Sequence, residues 1–359
     1  MKHILIAGGG TGGHLFPGIA IAEAFMAKDP ENRVLFVGTG KPFEVSVLSE
    51  TGFQHESITA EGIKGRGLLN QLRSAFKIPK GIFESFQIIR RFRPDLVLGV
   101  GGYSAGPVAI AAWLLGIRIV LHEQNILPGI TNRILSRFAD RIYVSFPNTK
   151  ARFNPKKLLV TGNPVRQDIR NPAPDFKLQT SNFNLLILGG SQGAHSINKA
   201  VTDALLHLKD RERFFFVHQT GKQDMEAVEQ GYREHGVSCK VQSFFNDMAR
   251  QYHEADMMIC RAGATTVAEI TAIGKGVIFI PYPFAADNHQ VLNARTLADA
   301  GAAEMILEKD LDGAMLAERI KYYASAPDRL EAMASRAKSF GRPDAAEVIV
   351  EDCYKLLSG

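Results

Sequence analysis

Residues able to do chemistry cluster at a few turns. The first is Gly8-Gly9-Gly10-Thr11-Gly12-Gly13-His14. Glycine lets a backbone take φ > 0 and come close to a ligand. The helix expected after it offers unpaired N–H groups and a partial positive charge, which suit a phosphate. His14 sits in this turn and is a candidate general base, because imidazole titrates near working pH. A positive helix end favours the neutral ring, as a base requires. The second is Cys260-Arg261-Ala262-Gly263-Ala264-Thr265-Thr266-Val267-Ala268-Glu269. Its small residues allow a diphosphate to approach the N–H groups of a helix start. Glu269 either takes two ribose hydroxyls or, as an acid near a helix start, favours the helix dipole. The third is Phe284-Ala285-Ala286-Asp287-Asn288-His289-Gln290, a polar loop in which Gln290, with Asn293 beyond it, can bond sugar hydroxyls.

Two other motifs carry less. Gly8, Gly10 and Gly13 match the glycine pattern of nicotinamide-binding turns, which also need an acid at the end of the second strand. That strand ends Phe36-Val37-Gly38-Thr39-Gly40, without a carboxylate. Asp310-Leu311-Asp312 has the form of a metal-diphosphate site, but it precedes a helical pattern and reads better as a helix cap. No other cluster has metal-ligand spacing, so no metal and no cofactor are expected.

Alternating strands and helices must position these turns. Apolar runs at 3–7, 33–38, 54–59, 95–100, 118–122, 140–145 and 157–161 read as strands with helical segments between them. That alternation predicts a parallel sheet with helices on both faces, and ligands at the carboxyl ends of its strands. Gly101-Gly102-Tyr103-Ser104-Ala105-Gly106-Pro107, His122-Glu123-Gln124-Asn125 and Gly162-Asn163-Pro164-Val165-Arg166 lie at those ends. A polar, proline-bearing stretch over 167–183 reads as a linker. The pattern then restarts: Leu-Leu-Ile-Leu-Gly-Gly-Ser-Gln-Gly-Ala-His over 185–195 aligns without a gap on Ile-Leu-Ile-Ala-Gly-Gly-Gly-Thr-Gly-Gly-His over 4–14. Two similar α/β domains facing one another are expected. Later strands are predicted at 213–218, 238–243, 256–260, 276–280 and 303–307, and helices at 313–325, 328–340 and 343–357. The expected division is 1–165, 166–342 and a final helix, 343–359, packing back on the first domain.

Bulk properties narrow the class. The 359 residues suggest about two domains. The cysteines Cys239, Cys260 and Cys353 are scattered and odd in number, which argues against a disulfide framework and for a reducing compartment. No run is long and apolar enough to span a membrane, and no signal peptide is evident. Residues 1–165 hold 20 basic and 11 acidic residues; the remainder holds 22 and 26. A basic first half suits a polyanionic partner. Base-reading motifs are absent, so nucleic acid is not expected. Residues 63–93 carry Lys64, Arg66, Arg73, Lys77, Lys80, Arg90, Arg91 and Arg93 among apolar positions. Leu68, Leu72 and Phe76 form one helical stripe and Ile82, Phe86 and Ile89 another, with Pro79 and Gly81 between them. The second helix reads as core. The first, with Leu69, Lys77 and Lys80 beside its stripe, suits an anionic membrane surface.

Taken together, the Gly9–His14 turn with Phe16-Pro17, the Gly101–Pro107 and His122–Asn125 blocks, Gly162–Arg166, Gly189–Ala194 and Arg261–Glu269 resemble the MurG family of glycosyltransferases, within glycosyltransferase family 28. The resemblance runs from residue 3 to the mid-340s. It implies a GT-B fold: two Rossmann-like domains whose parallel sheets face a central cleft. It also implies a metal-independent, inverting N-acetylglucosaminyltransferase. The donor would be UDP-GlcNAc and the acceptor the 4-hydroxyl of MurNAc in lipid I on undecaprenyl diphosphate, giving β-1,4-linked lipid II for peptidoglycan. Arg166, Ser191, the backbone at Phe245, Ala264, Thr265, Thr266, Val267, Ala268, Glu269 and Gln290 would hold the donor. Thr11, Gly12, Gly13 and Asn125 would complete that site. His14 would be the base, with Tyr103, His122 and Glu123 near the acceptor. Ala262 stands where the family more often has serine, and the Pro283–Asp287 loop varies in the family. The expected place is the cytoplasmic face of the bacterial inner membrane, held peripherally, with cell-wall synthesis proteins as further partners.

Overall fold

Ile4, Leu5, Ile6 and Ala7 are all fully buried, although successive strand side chains point to opposite faces. Ile4 and Ile6 join one apolar core, Leu5 and Ala7 another. Such a strand must be covered by helices on both sides. The structure is a computed structural model describing residues 1–61, 68–171, 182–190 and 192–358; over 68–77, 150–152 and at 286 it describes the backbone alone.

The chain divides into two compact units, Met1–Arg166 with Arg342–Gly359, and Gln167–Gly341. In the first, β1 (His3–Gly8), β2 (Arg33–Gly38), β3 (Gln54–Ser57), β4 (Leu96–Gly101), β5 (Arg118–Glu123), β6 (Arg141–Val144) and β7 (Leu158–Val160) make one sheet in the order β3-β2-β1-β4-β5-β6-β7. Every pairing is parallel. The connecting helices are α1 (Gly12–Lys28), α2 (Pro42–Thr51), α3 (Leu68–Phe92), α4 (Ala105–Leu114) and α5 (Ile130–Leu135).

The second unit opens with the short helix α6 (Gln167–Arg170). Residues 172–181 of the expected linker lie outside the described residues. Its strands are β8 (Phe183–Leu188), β9 (Phe214–Gln219), β10 (Cys239–Gln242), β11 (Met257–Cys260), β12 (Gly276–Phe279) and β13 (Glu304–Met305), again all parallel, in the order β10-β9-β8-β11-β12-β13. The helices are α7 (His195–Ala204), α8 (Met225–Glu234), α9 (Met248–Glu254), α10 (Ala264–Ile273), α11 (His289–Ala298), α12 (Gly313–Ala324) and α13 (Pro327–Ser339). Asp312 caps α12, its carboxylate accepting the Met315 N–H at 2.8 Å, which is the role expected of the 310–312 motif.

The last helix, α14 (Ala345–Ser358), belongs to the first unit. Its Ile349, Val350 and Cys353 enter the core formed by Leu15, Ile19 and Phe25 of α1. Asp352 accepts from Arg141 Nε and Tyr143 Oη, both at 3.0 Å.

One expectation is corrected. Pro79 and Gly81 do not divide two helices; α3 runs unbroken through both. Proline removes one helical hydrogen bond, and packing of the helix's second half offsets that. Ile88 and Ile89 are buried, Ile82 and Phe86 pack on the same core, and Glu84 accepts from the Thr59 N–H and hydroxyl at 2.5 and 3.0 Å. Of the expected membrane residues, the side chains of Leu68, Leu69, Leu72, Phe76 and Lys77 lie outside the described residues. Lys80 is exposed, 3.7 Å from Glu84. Among the described residues no helix is long and apolar enough to cross a membrane.

Candidate functional site

In each unit the strand order reverses direction at the central pair, β1 and β4 in the first and β8 and β11 in the second. Crevices beyond the carboxyl ends of such strands are where open parallel sheets bind ligands. Each pair ends in the glycine turns and short motifs singled out above.

In the first unit Thr11 is the N-terminal cap residue of α1, without a side-chain cap bond, and is exposed together with Gly13. His14 follows in the first turn, half-buried. Its ring lies against Gly101, which has φ +95°; a Cβ there would stand 2.8 Å from His14 Nδ1 and Cε1. Glycine at 101 therefore makes room for the imidazole. His14 Nδ1 is 3.2 Å from Gln124 Oε1. Gln124 is almost fully buried, and its Nε2 donates to the Val100 carbonyl at 2.8 Å and lies 3.2 Å from His122 Nδ1. His122 Nε2 is 3.3 Å from the Gly162 carbonyl. One line of polar groups thus joins the ends of β1, β4, β5 and β7.

His122 and Glu123, expected near the acceptor, are both buried. Burial depresses His122 to about 4, against a smaller opposing effect of the Gly162 carbonyl. Burial pushes the Glu123 carboxyl up, opposed by the Asn125 N–H, the Asn132 amide and the Gly129 N–H. Those three donors lie 3.0, 2.9 and 3.0 Å from its oxygens. Glu123 therefore shapes the 124–129 loop and holds Asn125, which is half-buried. Tyr103 is exposed. Arg166 ends the first unit with its guanidinium 4.4 Å from the centre of the Phe16 ring.

In the second unit Gly193 has φ +79°, and a Cβ there would meet the Thr220 carbonyl oxygen at 2.1 Å. The glycine turn is thereby pressed onto the end of β9. Gln219 reinforces this: its Nε2 donates to the Gly190 carbonyl at 3.0 Å, and its Oε1 accepts the Phe245 N–H at 2.9 Å. Phe245, whose backbone was expected at the donor, is fully buried, and its N–H is the one given to Gln219. Ser191 lies outside the described residues. His195, the repeat's counterpart of His14, opens α7 with Nδ1 at 3.1 Å from both Asp224 carboxylate oxygens.

The α10 helix starts after Gly263, which makes no side-chain cap bond. Ala264, Thr265, Val267 and Glu269 are buried, while Thr266 and Ala268 are half-buried. Glu269 lies in the second turn, where Oε2 accepts from Tyr252 Oη at 2.7 Å. Arg261 braces the segment, donating to the Ile280 and Pro281 carbonyls and to Ser196 Oγ and pairing with Glu308 at 2.5 Å. Gln290 is half-buried and accepts the Tyr282 N–H at 3.0 Å. Asn293, expected beside it at a sugar, is instead fully buried and donates to the Ala262 carbonyl at 3.2 Å. The organising roles of Gln124, Asn132, Gln219 and Arg261 were not assigned from sequence. The signal available was position: Gln124 follows β5 and Gln219 ends β9, both at carboxyl ends.

Comparison with known proteins identifies the family. Residues 4–144 match the glycosyltransferase family 28 N-terminal domain and residues 184–349 the glycosyltransferase family 28 C-terminal domain. A protein of Syntrophus aciditrophicus named UDP-N-acetylglucosamine--N-acetylmuramyl-(pentapeptide) pyrophosphoryl-undecaprenol N-acetylglucosamine transferase is 49% identical over 99% of this chain and 98% of its own length. A Geobacter sulfurreducens protein of the same name is 47% identical over 97% of each chain. The crystal structure of Acinetobacter baumannii MurG superposes with a TM-score of 0.77 at 33% identity, covering 99% of this chain and 100% of that one. A UDP-GlcNAc 2-epimerase from Neisseria meningitidis, at 16% identity and TM-score 0.71 over 99% of this chain and 100% of its own, shares the fold.

Proposed function

The chain belongs to glycosyltransferase family 28, and from that membership we propose that it transfers N-acetylglucosamine from UDP-N-acetylglucosamine to lipid I, giving lipid II for peptidoglycan synthesis. The acceptor atom is the 4-hydroxyl of the N-acetylmuramyl sugar on undecaprenyl diphosphate. The observation that carries the reading is near-full-length identity to relatives bearing that activity's name. The glycine turns at both central strand pairs agree with it.

In an inverting transfer the acceptor oxygen attacks the anomeric carbon, a new C–O bond forms, and the bond to the diphosphate breaks. UDP departs with the electron pair, and the acceptor proton passes to a base. The departing charge needs fixed donors, which act strongly where water is excluded. The start of α10, with Thr265, Thr266, Ser191 and the Arg166 guanidinium, supplies them in this proposal. Glu269 takes the ribose, and Gln290 takes the sugar. Thr11, Gly12, Gly13 and Asn125 complete the donor contacts in this proposal, and Tyr103 serves the acceptor. His14 takes the proton. His122 and Glu123 act by holding the 122–129 segment, in keeping with their burial. The basic first unit is the membrane side, as a lipid-linked acceptor requires, and the protein works at the cytoplasmic face of the inner membrane.

The test is incubation with UDP-N-acetylglucosamine and either a lipid I analogue or diacylglycerol in several detergents. A β-1,4-linked disaccharide on the lipid I analogue is expected. Glycosylated diacylglycerol alone, or no product at all, overturns the proposal.

A further inference from the structure

We propose that Gln124 is a positioning residue that fixes the tautomer of His14, keeping the proton on Nδ1 and the basic lone pair on Nε2. The inference rests on the reading of His14 as the base and adds what makes the ring competent.

The orientation of the Gln124 amide follows from its surroundings. The Val100 carbonyl can only accept, and it lies 2.8 Å from one end of the amide, so that end is the nitrogen. The same nitrogen is 3.2 Å from His122 Nδ1, to which its second hydrogen points. The amide oxygen is thereby turned to His14 Nδ1 at 3.2 Å. An amide oxygen only accepts, so Nδ1 must carry the hydrogen. A neutral imidazole has one, and its lone pair then lies on Nε2. Free in water, neutral histidine prefers the opposite tautomer, which has no lone pair at Nε2. The amide reverses that preference.

The arrangement resists inversion. Gln124 is 1% exposed, so no solvent rescues a flipped amide. Flipping would set its oxygen against the Val100 carbonyl and remove the amide donor that carbonyl accepts from, a costly loss. His122 closes the network at the other end. Its Nδ1 accepts, so its Nε2–H donates to the Gly162 carbonyl at 3.3 Å. A protonated His122 would present a hydrogen to the amide nitrogen and break this order. Burial holds that ring neutral, depressed to about 4. Gly101, lacking a Cβ, lets the His14 ring lie where Nδ1 meets the amide.

The experiment combines ring ¹⁵N chemical shifts with kinetics. In the unaltered protein at neutral pH, His14 Nδ1 should show the protonated-type shift and Nε2 the unprotonated type. In Gln124→Leu the pattern should reverse, and kcat should fall at least about tenfold, since a wrong tautomer disables a histidine base. UDP affinity should not change. Gln124→Glu keeps an oxygen acceptor toward His14. Burial against the Val100 carbonyl favours the protonated acid, so its other oxygen also keeps a donor toward Val100. It should retain the wild-type shift pattern and most of the rate. A wild-type ring protonated on Nε2 overturns the proposal, as does a Gln124→Glu enzyme as slow as Gln124→Leu. The wild-type shifts decide the matter even if a variant fails to fold. A correct tautomer with an unchanged rate in His14→Ala would instead remove His14 as the base and leave the Gln124 assignment standing.

Discussion

Arg166 lies over Phe16, the guanidinium carbon 4.4 Å from the ring centre. The pair joins the last residue of the Gly162–Arg166 motif to α1, within a turn of His14. A cation over an aromatic face is worth about 0.5–2 kcal/mol, while a guanidinium–phosphate contact is stronger and geometrically specific.

The two roles of Arg166 separate by substitution. If it serves the donor, Arg166→Ala should weaken UDP binding about tenfold or more, since a hydrogen bond to a charged group contributes about 1.5–3 kcal/mol. Phe16→Leu should cost less affinity and show mainly as a lower melting temperature. Titration calorimetry and thermal unfolding on both variants check this. Equal losses of stability with UDP affinity untouched would reduce Arg166 to a staple on α1.

Gly101→Ala tests the seat of the imidazole. Glycine adopts φ +95° without strain, and the His14 ring occupies the space a Cβ would need. An alanine there should destabilise the protein by about 1–3 kcal/mol and displace the ring. Turnover should fall while UDP binding stays. His14→Ala should lower the rate by about 10²–10⁴ on the general-base reading. If Gly101→Ala turns over normally, the observed ring position is not the working one.

These residues also mark how far the sequence could be read. The strands and the repeat were legible because parallel strands, buried on both faces, are continuous apolar runs, and both glycine turns follow such runs. The same two-sided burial hid the fate of His122 and Glu123. They occupy successive positions at the end of β5 and point to opposite faces, yet both are covered. Asn293 looked like a sugar ligand for want of any local sign that α11 turns it inward. The unbroken course of α3 was equally hidden, because contacts far along the chain, such as Thr59 with Glu84, hold it together across Pro79. Gln124 and Gln219 act through groups distant in sequence, and a single chain read residue by residue does not reveal those pairings.

Acid should destabilise the fold through two sealed imidazoles. Burial depresses His122 to about 4 and His218 to about 3. Both are fully buried, and His218 is bonded to Tyr232 and Asn198. In the unfolded chain each titrates near 6.5. Below that pH the unfolded state takes protons that the folded state refuses. Each ring therefore removes about 1.4 kcal/mol of stability per pH unit until its folded value is reached. Glu123, raised by burial, acts with opposite sign nearer its own range. Urea unfolding from pH 7 to 4.5 should show falling stability, and His218→Gln should flatten the slope. Stability that does not change over that range would mean that neither ring is sealed in solution.

Membrane attachment is testable on α3 and α4. α3 and α4 pack together in the first unit, and each leaves large apolar side chains in water: Phe83 on α3, and Trp113 and Leu114 at the end of α4. Apolar side chains beside basic ones suit an anionic bilayer, where each cation contributes about 1 kcal/mol. Phe83→Ser with Trp113→Ser should weaken sedimentation with phosphatidylglycerol vesicles. Replacing Leu72, Phe76, Lys77 and Lys80 together should abolish it. Attachment should weaken with added salt, because exposed charges are screened. UDP affinity should be unaffected, since none of these side chains is assigned to the donor. Undiminished vesicle binding in both variants would move the contact away from α3 and α4 and remove the basic stretch from the membrane assignment.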